Sequence, residues 1–205
     1  VSHVLVPPAI RAIMDSPTRR VQGFLAAGHV CTVMGMSEYV PLVEEYQVPI
    51  VVTGFEPLDL LEGILMAIRQ LEEGRHEVEN QYTRAVLPQG NPRALEAIAE
   101  TMEVREDFEW RGLGEVPYSA LRIKDAYASF DAERRFGITY RSVADNKACE
   151  CGAILRGVKK PTDCKVFGTV CTPENPIGSC MVSSEGACAA HYSYGRFRDI
   201  PVVAA

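Results

Sequence analysis

Six of the seven cysteines lie within one short stretch near the end of the printed sequence. They are Cys149, Cys151, Cys164, Cys171, Cys180 and Cys188. The first residues show neither the basic nor the apolar stretch of a signal peptide, so we expect a reducing, cytoplasmic setting. Cysteines there more often serve metals or redox chemistry than structural disulfides.

Three kinds of site could use these thiols. A zinc site usually has two close cysteine pairs, and this stretch has only the pair Cys149 and Cys151, so zinc is possible but poorly matched. Three disulfides would use all six cysteines but need an oxidising compartment. An iron-sulfur cluster needs four thiolates that converge, and widely spaced cysteines on Gly and Pro turns can supply them.

Upstream of the cysteines, short β-rich runs alternate with longer helical runs, a pattern typical of α/β proteins. We predict a Rossmann-like parallel sheet domain followed by a small loop-rich domain that holds the cluster. The predicted strands are His3 to Val6, Val21 to Ala26, Pro49 to Thr53 and residues 77–87. The predicted helices are Pro7 to Asp15, a run from Gly28 to about Tyr46, Pro57 to Leu71, and a run that Asn91 and Pro92 open and that continues to Val104.

The helix from Pro57 to Leu71 has the clearest period. Aliphatic residues recur at steps of three and four, which predicts one apolar stripe that faces a core. They are Leu58, Leu61, Ile64, Leu65, Ile68 and Leu71.

Residues 105–137 have no clean period and could connect two units. We place the domain boundary near 138, with an α/β domain over 1–137 and a cysteine-rich domain over 138–205. The second segment has too few aliphatic residues to fold on its own core, so a metal site or cross-link must stabilise it.

The composition excludes several classes of protein. The 205 residues are 47% hydrophobic with a net charge of -6 and interspersed signs, which argues against nucleic acid and anionic membrane partners. The longest apolar runs fall far short of the ~20 residues that cross a bilayer, so we expect a soluble protein. The sequence opens on the predicted strand and lacks an initiator Met, so we expect a piece of a longer chain.

Two polar side chains follow neighbouring predicted strands. His29 comes after the strand that ends at Ala26, and Glu56 comes after the strand that ends at Thr53, so both belong at one rim of a parallel sheet. From their spacing alone, the favoured interpretation is that His29 is a helix-entry residue and Glu56 a first-turn carboxylate. Cys31, near the same helix start, is either a reactive thiol or a small buried residue.

Several motifs together resemble the HypD family. In the cysteine-rich stretch they are Cys149-Glu-Cys-Gly-Ala-Ile-Leu-Arg-Gly, Pro161-Thr-Asp-Cys164, Phe167-Gly-Thr-Val-Cys171-Thr-Pro and Gly178-Ser-Cys-Met-Val-Ser-Ser-Glu-Gly-Ala-Cys188. Earlier in the chain they are Gly23-Phe-Leu-Ala-Ala-Gly-His-Val and Val51-Val-Thr-Gly-Phe-Glu-Pro-Leu-Asp. The resemblance therefore covers nearly the whole sequence.

The resemblance implies a division of the six cysteines. The family's 4Fe-4S cluster uses four cysteines separated by fourteen, six and sixteen residues, which selects Cys149, Cys164, Cys171 and Cys188 here. Cys151 and Cys180 then correspond to a redox pair beside the cluster, or else are ordinary buried residues.

The same resemblance suggests roles for three polar residues. His29 and Glu56 would line a cleft that handles iron and its diatomic ligands. Glu185 would couple protons to electron transfer, or would simply cap a turn.

The family resemblance implies a nickel-iron hydrogenase maturation scaffold. Such proteins assemble the Fe(CN)2CO group with a small HypC-like chaperone and a HypE-like cyanide donor, and act as redox scaffolds rather than conventional turnover enzymes. The family's N-terminal Cys-Gly-x-His and Cys-Pro-x-Cys motifs do not occur in this sequence. The alternative is an electron-transfer module, or one that an iron-sulfur cluster or zinc only stabilises.

Overall fold

The computed structural model describes residues 3–139 and 146–195. The chain divides into two compact units. The first comprises Val1–Met14, Val21–Phe108 and Pro117–Thr139, and the second comprises Asp15–Arg20, Glu109–Val116 and Tyr140–Ala205. The second unit thus includes two segments that precede the cysteine-rich stretch in sequence.

The strands are short and belong to two three-stranded sheets and a hairpin. They are β1 (His3–Val4), β2 (Phe24–Ala27), β3 (Ile50–Thr53), β4 (Val78–Asn80), β5 (Met102–Val104), β6 (Asp107–Trp110), β7 (Gly114–Pro117) and β8 (Ala120–Ile123).

The helices are α1 (Val6–Met14), α2 (Gly28–Met34), α3 (Val40–Tyr46), α4 (Pro57–Glu73), α5 (Pro92–Thr101), α6 (Ala132–Arg135), α7 (Cys151–Leu155), α8 (Ser179–Val182) and α9 (Ala187–Tyr194). Short 3-10 helices cover Ser37–Tyr39, Asp125–Phe130 and Pro161–Asp163. In the described part of the chain, no helix is both long and apolar enough to span a bilayer.

The parallel sheet of the first unit confirms the α/β prediction. Its strands are in the order β2, β3, β4, and Ala27 of β2 pairs with Thr53 of β3. Burial of β3 is complete, which suits a central strand with helices on both faces. The carboxyl ends of β2 and β3 therefore meet at one edge.

The second sheet was not predicted. It is antiparallel in the order β1, β8, β5, and β5 takes up the last residues of the helix predicted to reach Val104. Residues 105–137, which lack a clean period, contain β6, β7, β8, a 3-10 helix and α6. Strands of three or four residues are too short to show a period in sequence.

The helix predicted from Gly28 to Tyr46 is wrong in the middle. The run is interrupted after α2 by Gly35, which has a φ of 73° that glycine tolerates and a helix does not. A 3-10 turn and α3 follow. The N-cap prediction at the other end of the unit is confirmed, since Asn91 Oδ1 accepts hydrogen bonds from the backbone N–H groups of Arg93 and Ala94.

The prediction that the aliphatic stripe of α4 faces a core is wrong. Its six aliphatic residues, Leu58 to Leu71, are 44–66% exposed. The helix instead packs on the sheet through Asp59, Gly63 and Gln70, all of which are buried. A Cβ on Gly63 would lie 2.1 Å from Thr53 Cγ2, so a glycine is what allows the helix to approach β3 this closely.

The core of the first unit lies on the sheet face opposite α4. It combines α1, α2, α3 and the inward residues of β2 and β3: Ile10, Met14, Ala26, Cys31, Tyr39, Leu42, Val43, Val48, Ile50, Val52 and Val86. The second unit has a different core, made of cysteines with Ile154, Met181 and Ala189.

Candidate functional site

The six clustered cysteines converge on one cavity in the second unit. The lining is Cys149, Cys151, Ile154, Cys164, Val166, Phe167, Cys171, Gly178, Cys180, Met181 and Cys188. Cys149 is partly exposed, the other five are buried, and all six are free thiols. Positions up to 39 residues apart in sequence thus meet at one place.

Short elements and turns position these thiols. Cys151 begins α7, Cys180 lies in α8 and Cys188 is the second residue of α9. Cys164 caps the end of the 3-10 helix Pro161–Asp163. Cys171 closes a tight loop, because its N–H donates to Val166 O at 2.9 Å while its carbonyl accepts from Gly168 N at 3.0 Å.

Glycines allow close approach at two points around the cavity. A Cβ on Gly178 would lie 2.3 Å from Cys149 Sγ. At the tip of the β6–β7 hairpin, Gly112 has a φ of 84°, and its carbonyl oxygen would lie 2.4 Å from a Cβ on Gly152. The hairpin tip therefore packs on the first turn of α7, beside Cys151.

Cys151 and Cys180 contact each other. The two thiols share a hydrogen bond, and Cys151 Sγ also lies 3.1 Å from Ser179 Oγ. Cys171 Sγ has a different partner, since it accepts a hydrogen bond from Ile177 N at 3.4 Å.

Burial and crowding raise the pKa of three of these thiols, Cys149, Cys180 and Cys188, and so favour their neutral forms. Burial, followed by the neighbouring thiols, raises the pKa of Cys188 to about 11. The hydrogen bond with Cys151 and burial raise the pKa of Cys180, and burial raises the pKa of Cys149. Metal binding would reverse this preference, because a coordinating thiol is deprotonated.

The donor set fits an iron-sulfur cluster by chemistry. Soft thiolates select zinc, copper(I) and iron-sulfur clusters, and the cavity lining is sulfur and apolar side chains. Over residues 3–139 and 146–195, no three His, Cys, Asp or Glu side chains are grouped as ligands of a single metal ion. In a cluster each thiolate binds a different iron, so its sulfurs need not converge on one ion.

Glu185 does not line this cavity. Glu185 is exposed. Its backbone N–H donates to Ser183 Oγ at 3.2 Å, a hydrogen bond typical of a turn. A role in proton coupling stays a prediction.

His29 and Glu56 line one open cavity of about 340 Å³ in the first unit. The other lining residues are Thr53, Gly54, Phe55 and Tyr82. The Phe55 ring stands edge-on to the His29 imidazole with centroids 5.0 Å apart. The structure thus brings together the two polar residues that follow β2 and β3.

An ion-pair network that the sequence did not indicate fixes Glu56. Arg84 forms an ion pair with Glu56 and binds the buried Asp59 at 2.6 and 2.8 Å. Gln81 connects the same carboxylate to the backbone, since its Nε2 donates to Asp59 Oδ1 at 2.9 Å and its Oε1 accepts from Gly54 N at 3.3 Å. Asp59 is the last residue of the motif that begins at Val51, so the sequence contained a signal for it. Nothing in the sequence indicated a role for Arg84.

Cys31 is not one of the thiols that line the cysteine cavity. It is fully buried in the core of the first unit, where its thiol donates to the Tyr39 hydroxyl at 4.0 Å. Burial raises its pKa, which opposes a reactive thiolate. The structure favours the packing alternative.

Comparison with known proteins decides the family. The model of the family described as "HypD: Hydrogenase formation hypA family" matches residues 1–195. The chain belongs to the HypD family. Hydrogenase maturation factor HypD of Cupriavidus necator is 62% identical to this HypD-family chain over 209 aligned residues, which cover 99% of this chain. HypD of Escherichia coli is 42% identical over 192 residues, which cover 94% of this chain.

This HypD-family chain spans about half the length of the curated relatives it matches. The match covers 55% of the Cupriavidus necator protein and 52% of the Escherichia coli protein. Both relatives therefore contain a further region of similar length.

Proposed function

We propose that this HypD-family chain supplies the electron-handling part of a nickel-iron hydrogenase maturation factor. Cys149, Cys164, Cys171 and Cys188 hold a 4Fe-4S cluster. Cys151 and Cys180 beside them alternate between dithiol and disulfide. The observation that carries the proposal is the convergence of all six thiols on one apolar cavity.

The contact between Cys151 and Cys180 supports this division of labour. Two thiols that already share a hydrogen bond need little movement to form a disulfide, and the step releases two electrons and two protons. A bound cluster supplies one-electron transfers at the same place. Ser179 Oγ, 3.1 Å from Cys151 Sγ, is placed to hydrogen-bond to that sulfur in either state.

The resemblance to the family supplies the rest of the role. The Fe(CN)2CO group is the cargo, a HypC-like chaperone and a HypE-like cyanide donor are the partners, and the cytoplasm is the setting. His29 and Glu56 would exchange protons with that cargo at their shared cavity, where Arg84 holds the Glu56 carboxylate in place. Glu185, which lies between Cys180 and Cys188 in sequence, is proposed as a further proton carrier.

A set of Cys→Ser variants, purified without oxygen, tests the cluster assignment. We expect Cys149→Ser, Cys164→Ser, Cys171→Ser and Cys188→Ser each to lose most of the iron and the visible absorbance. Cys151→Ser and Cys180→Ser retain both. A cluster that survives Cys149→Ser and disappears in Cys151→Ser would overturn the assignment.

Redox titration separates this proposal from a cluster that only stabilises the fold. A two-electron thiol couple, present in the wild-type chain and absent from Cys151→Ser and Cys180→Ser, supports the maturation role. An inert cluster without that couple supports the structural alternative. Zinc in place of iron in metal analysis would exclude both.

Infrared spectroscopy tests the cargo step. The HypD-like motifs Cys-Gly-x-His and Cys-Pro-x-Cys are absent from these 205 residues, so this chain alone lacks a principal ligand of the cyanide-bearing iron. We expect bands of bound cyanide and CO only when the remaining half of a family protein is supplied. Bands on this chain alone would contradict the proposal.

A further inference from the structure

Helix α4 carries an aliphatic surface that faces solvent. We call Leu58, Leu61, Ile64, Leu65, Ile68 and Leu71 the α4 face. At roughly 100° per residue, their common direction is opposite to that of the buried Asp59, Gly63 and Gln70. The helix is therefore apolar on the side that points away from its own sheet.

A further exposed aliphatic residue lies beside α4, at an edge of the sheet. Leu25 on β2 is 40% exposed, and its Cδ2 would lie 3.5 Å from a Cβ on Gly63, so it borders the same helix. In the described part of the chain β2 is one of the two edge strands of the parallel sheet. Parallel strands are normally covered on both faces and extended by further β–α units.

A surface of this kind is costly to leave in water. Contiguous apolar patches of several hundred Å² mark interaction sites. The spacing of three and four residues along the α4 face is the one that accepts a second helix packed alongside.

We infer that the α4 face and Leu25 form the contact surface for the half of a HypD-family protein that these 205 residues do not match, and that an apolar helix of that half packs on α4. The relatives are about twice as long as the matched region, so each of them contains a second region of suitable size in its own polypeptide. Covalent linkage gives it a high effective concentration at this surface.

The charges beside the α4 face argue against a second copy of this chain. On its exposed side the helix carries Glu62, Glu72 and Glu73 against the single basic residue Arg69. A symmetric pair of α4 helices would bring these carboxylates toward one another. The partner we infer is therefore aliphatic along its centre and neutral or basic at its rim.

Residue-level carbene footprinting tests the inference. The probe protein is a chimera in which this chain is joined, in the order of the Cupriavidus necator relative, to the unmatched half of that relative. Labelling is normalised to that of the denatured chains. We expect labelling of Leu61, Ile64 and Ile68 to be at least about fivefold lower in the chimera than in the 205-residue chain. This is roughly the ratio of exposed area between half-exposed and core side chains.

A triple variant provides the second measurement. Leu61→Ser/Ile64→Ser/Ile68→Ser should leave the circular dichroism of the 205-residue chain unchanged, because these side chains face away from the sheet. In the chimera it should lower the unfolding temperature. The matched control Glu62→Gln/Arg69→Gln/Glu73→Gln changes three exposed residues of the same helix outside the α4 face and should leave the chimera's unfolding temperature unchanged.

Three results would overturn the inference. Equal labelling of the α4 face in both proteins would show that the unmatched half does not cover it. Protection of the α4 face that is already present in the dilute 205-residue chain would show that residues of this chain cover it. Protection of the α4 face that appears only at high concentration, where the chain sediments as a dimer, would show that a second copy covers it. None of these readouts involves a metal, so they are independent of the proposed function.

Discussion

The guanidinium of Arg84 binds the carboxylate of Asp59 through two nitrogens, with Nη1 2.8 Å from Oδ1 and Nη2 2.6 Å from Oδ2. Asp59 lies in the first turn of α4 and is buried, so this is the planar paired geometry in which Arg is not replaceable by another base. Because Arg84 also pairs with Glu56, it connects the candidate cavity to the helix that follows it.

Replacing Arg84 should destabilise the first unit and release Glu56. In Arg84→Gln the buried Asp59 carboxylate loses its charged partner, so we expect a lower midpoint of chemical unfolding. Arg69→Gln, a loss of an exposed charge on the same helix, should change the free energy of unfolding by less than about 0.5 kcal/mol. Equal midpoints for the two variants would show that the paired geometry contributes nothing.

Acid should remove the contribution of Asp59. Hydrogen bonds from Arg84, the largest cause, hold the pKa of Asp59 well below its usual value. Its stabilisation is therefore fully present above the unfolded pKa of about 3.9 and is lost progressively as the pH falls below it. We expect the difference in unfolding free energy between wild type and Asp59→Asn to narrow in that range, measured by urea titration at several pH values. A difference that is constant with pH would contradict this.

Cys31 should be dispensable for the cluster. In the Cys31→Ala variant a small buried group is lost from the core, which we expect to cost about 1 kcal/mol of stability. Iron content should equal that of the wild type, in contrast to Cys149→Ser. Native protein should resist alkylation at Cys31 until it is unfolded, because burial raises the pKa of the thiol. Loss of iron in the Cys31→Ala variant would instead indicate that Cys31 is a ligand.

Metal binding at the four proposed ligands Cys149, Cys164, Cys171 and Cys188 should release protons. The pKa values of Cys149 and Cys188 are raised, that of Cys188 to about 11, so these two thiols carry protons near neutral pH. Each coordinating thiol must lose one proton, and affinity should therefore weaken as the pH falls. Zinc serves as a simple probe: its heat of binding should depend on the ionisation enthalpy of the buffer. A heat that is identical in all buffers would mean that the thiols are already ionised.

Local pattern was a good guide where one feature decides the outcome. Asn91 followed by Pro92 predicted a helix start, because an N-cap side chain and a proline at the first turn act within a few residues. The strand Ile50–Thr53 was predicted equally well, because it is a short aliphatic run that is buried. Gly35 interrupted a predicted helix, since a positive φ cannot be read from residue type alone.

The cysteine spacing indicated a site but not its geometry. That Cys151 contacts Cys180 across 29 residues of chain, and that Gly112 of an earlier hairpin packs beside α7, depends on long-range packing. Arg84 illustrates the same limit, because its partners lie 25 and 28 residues away in sequence.

The sequence by itself determined that this chain is an α/β protein with six cysteines grouped in one stretch, since residue type, period and spacing are local properties. Only the tertiary structure decided which face of α4 is buried. Periodicity reveals two faces of a helix without saying which one meets the sheet, and here Gly63 lets the small and polar face approach Thr53 while the aliphatic face stays outside. The convergence of the six thiols and the pairing of Arg84 with Asp59 were likewise decided by packing, because each joins residues that are distant in sequence.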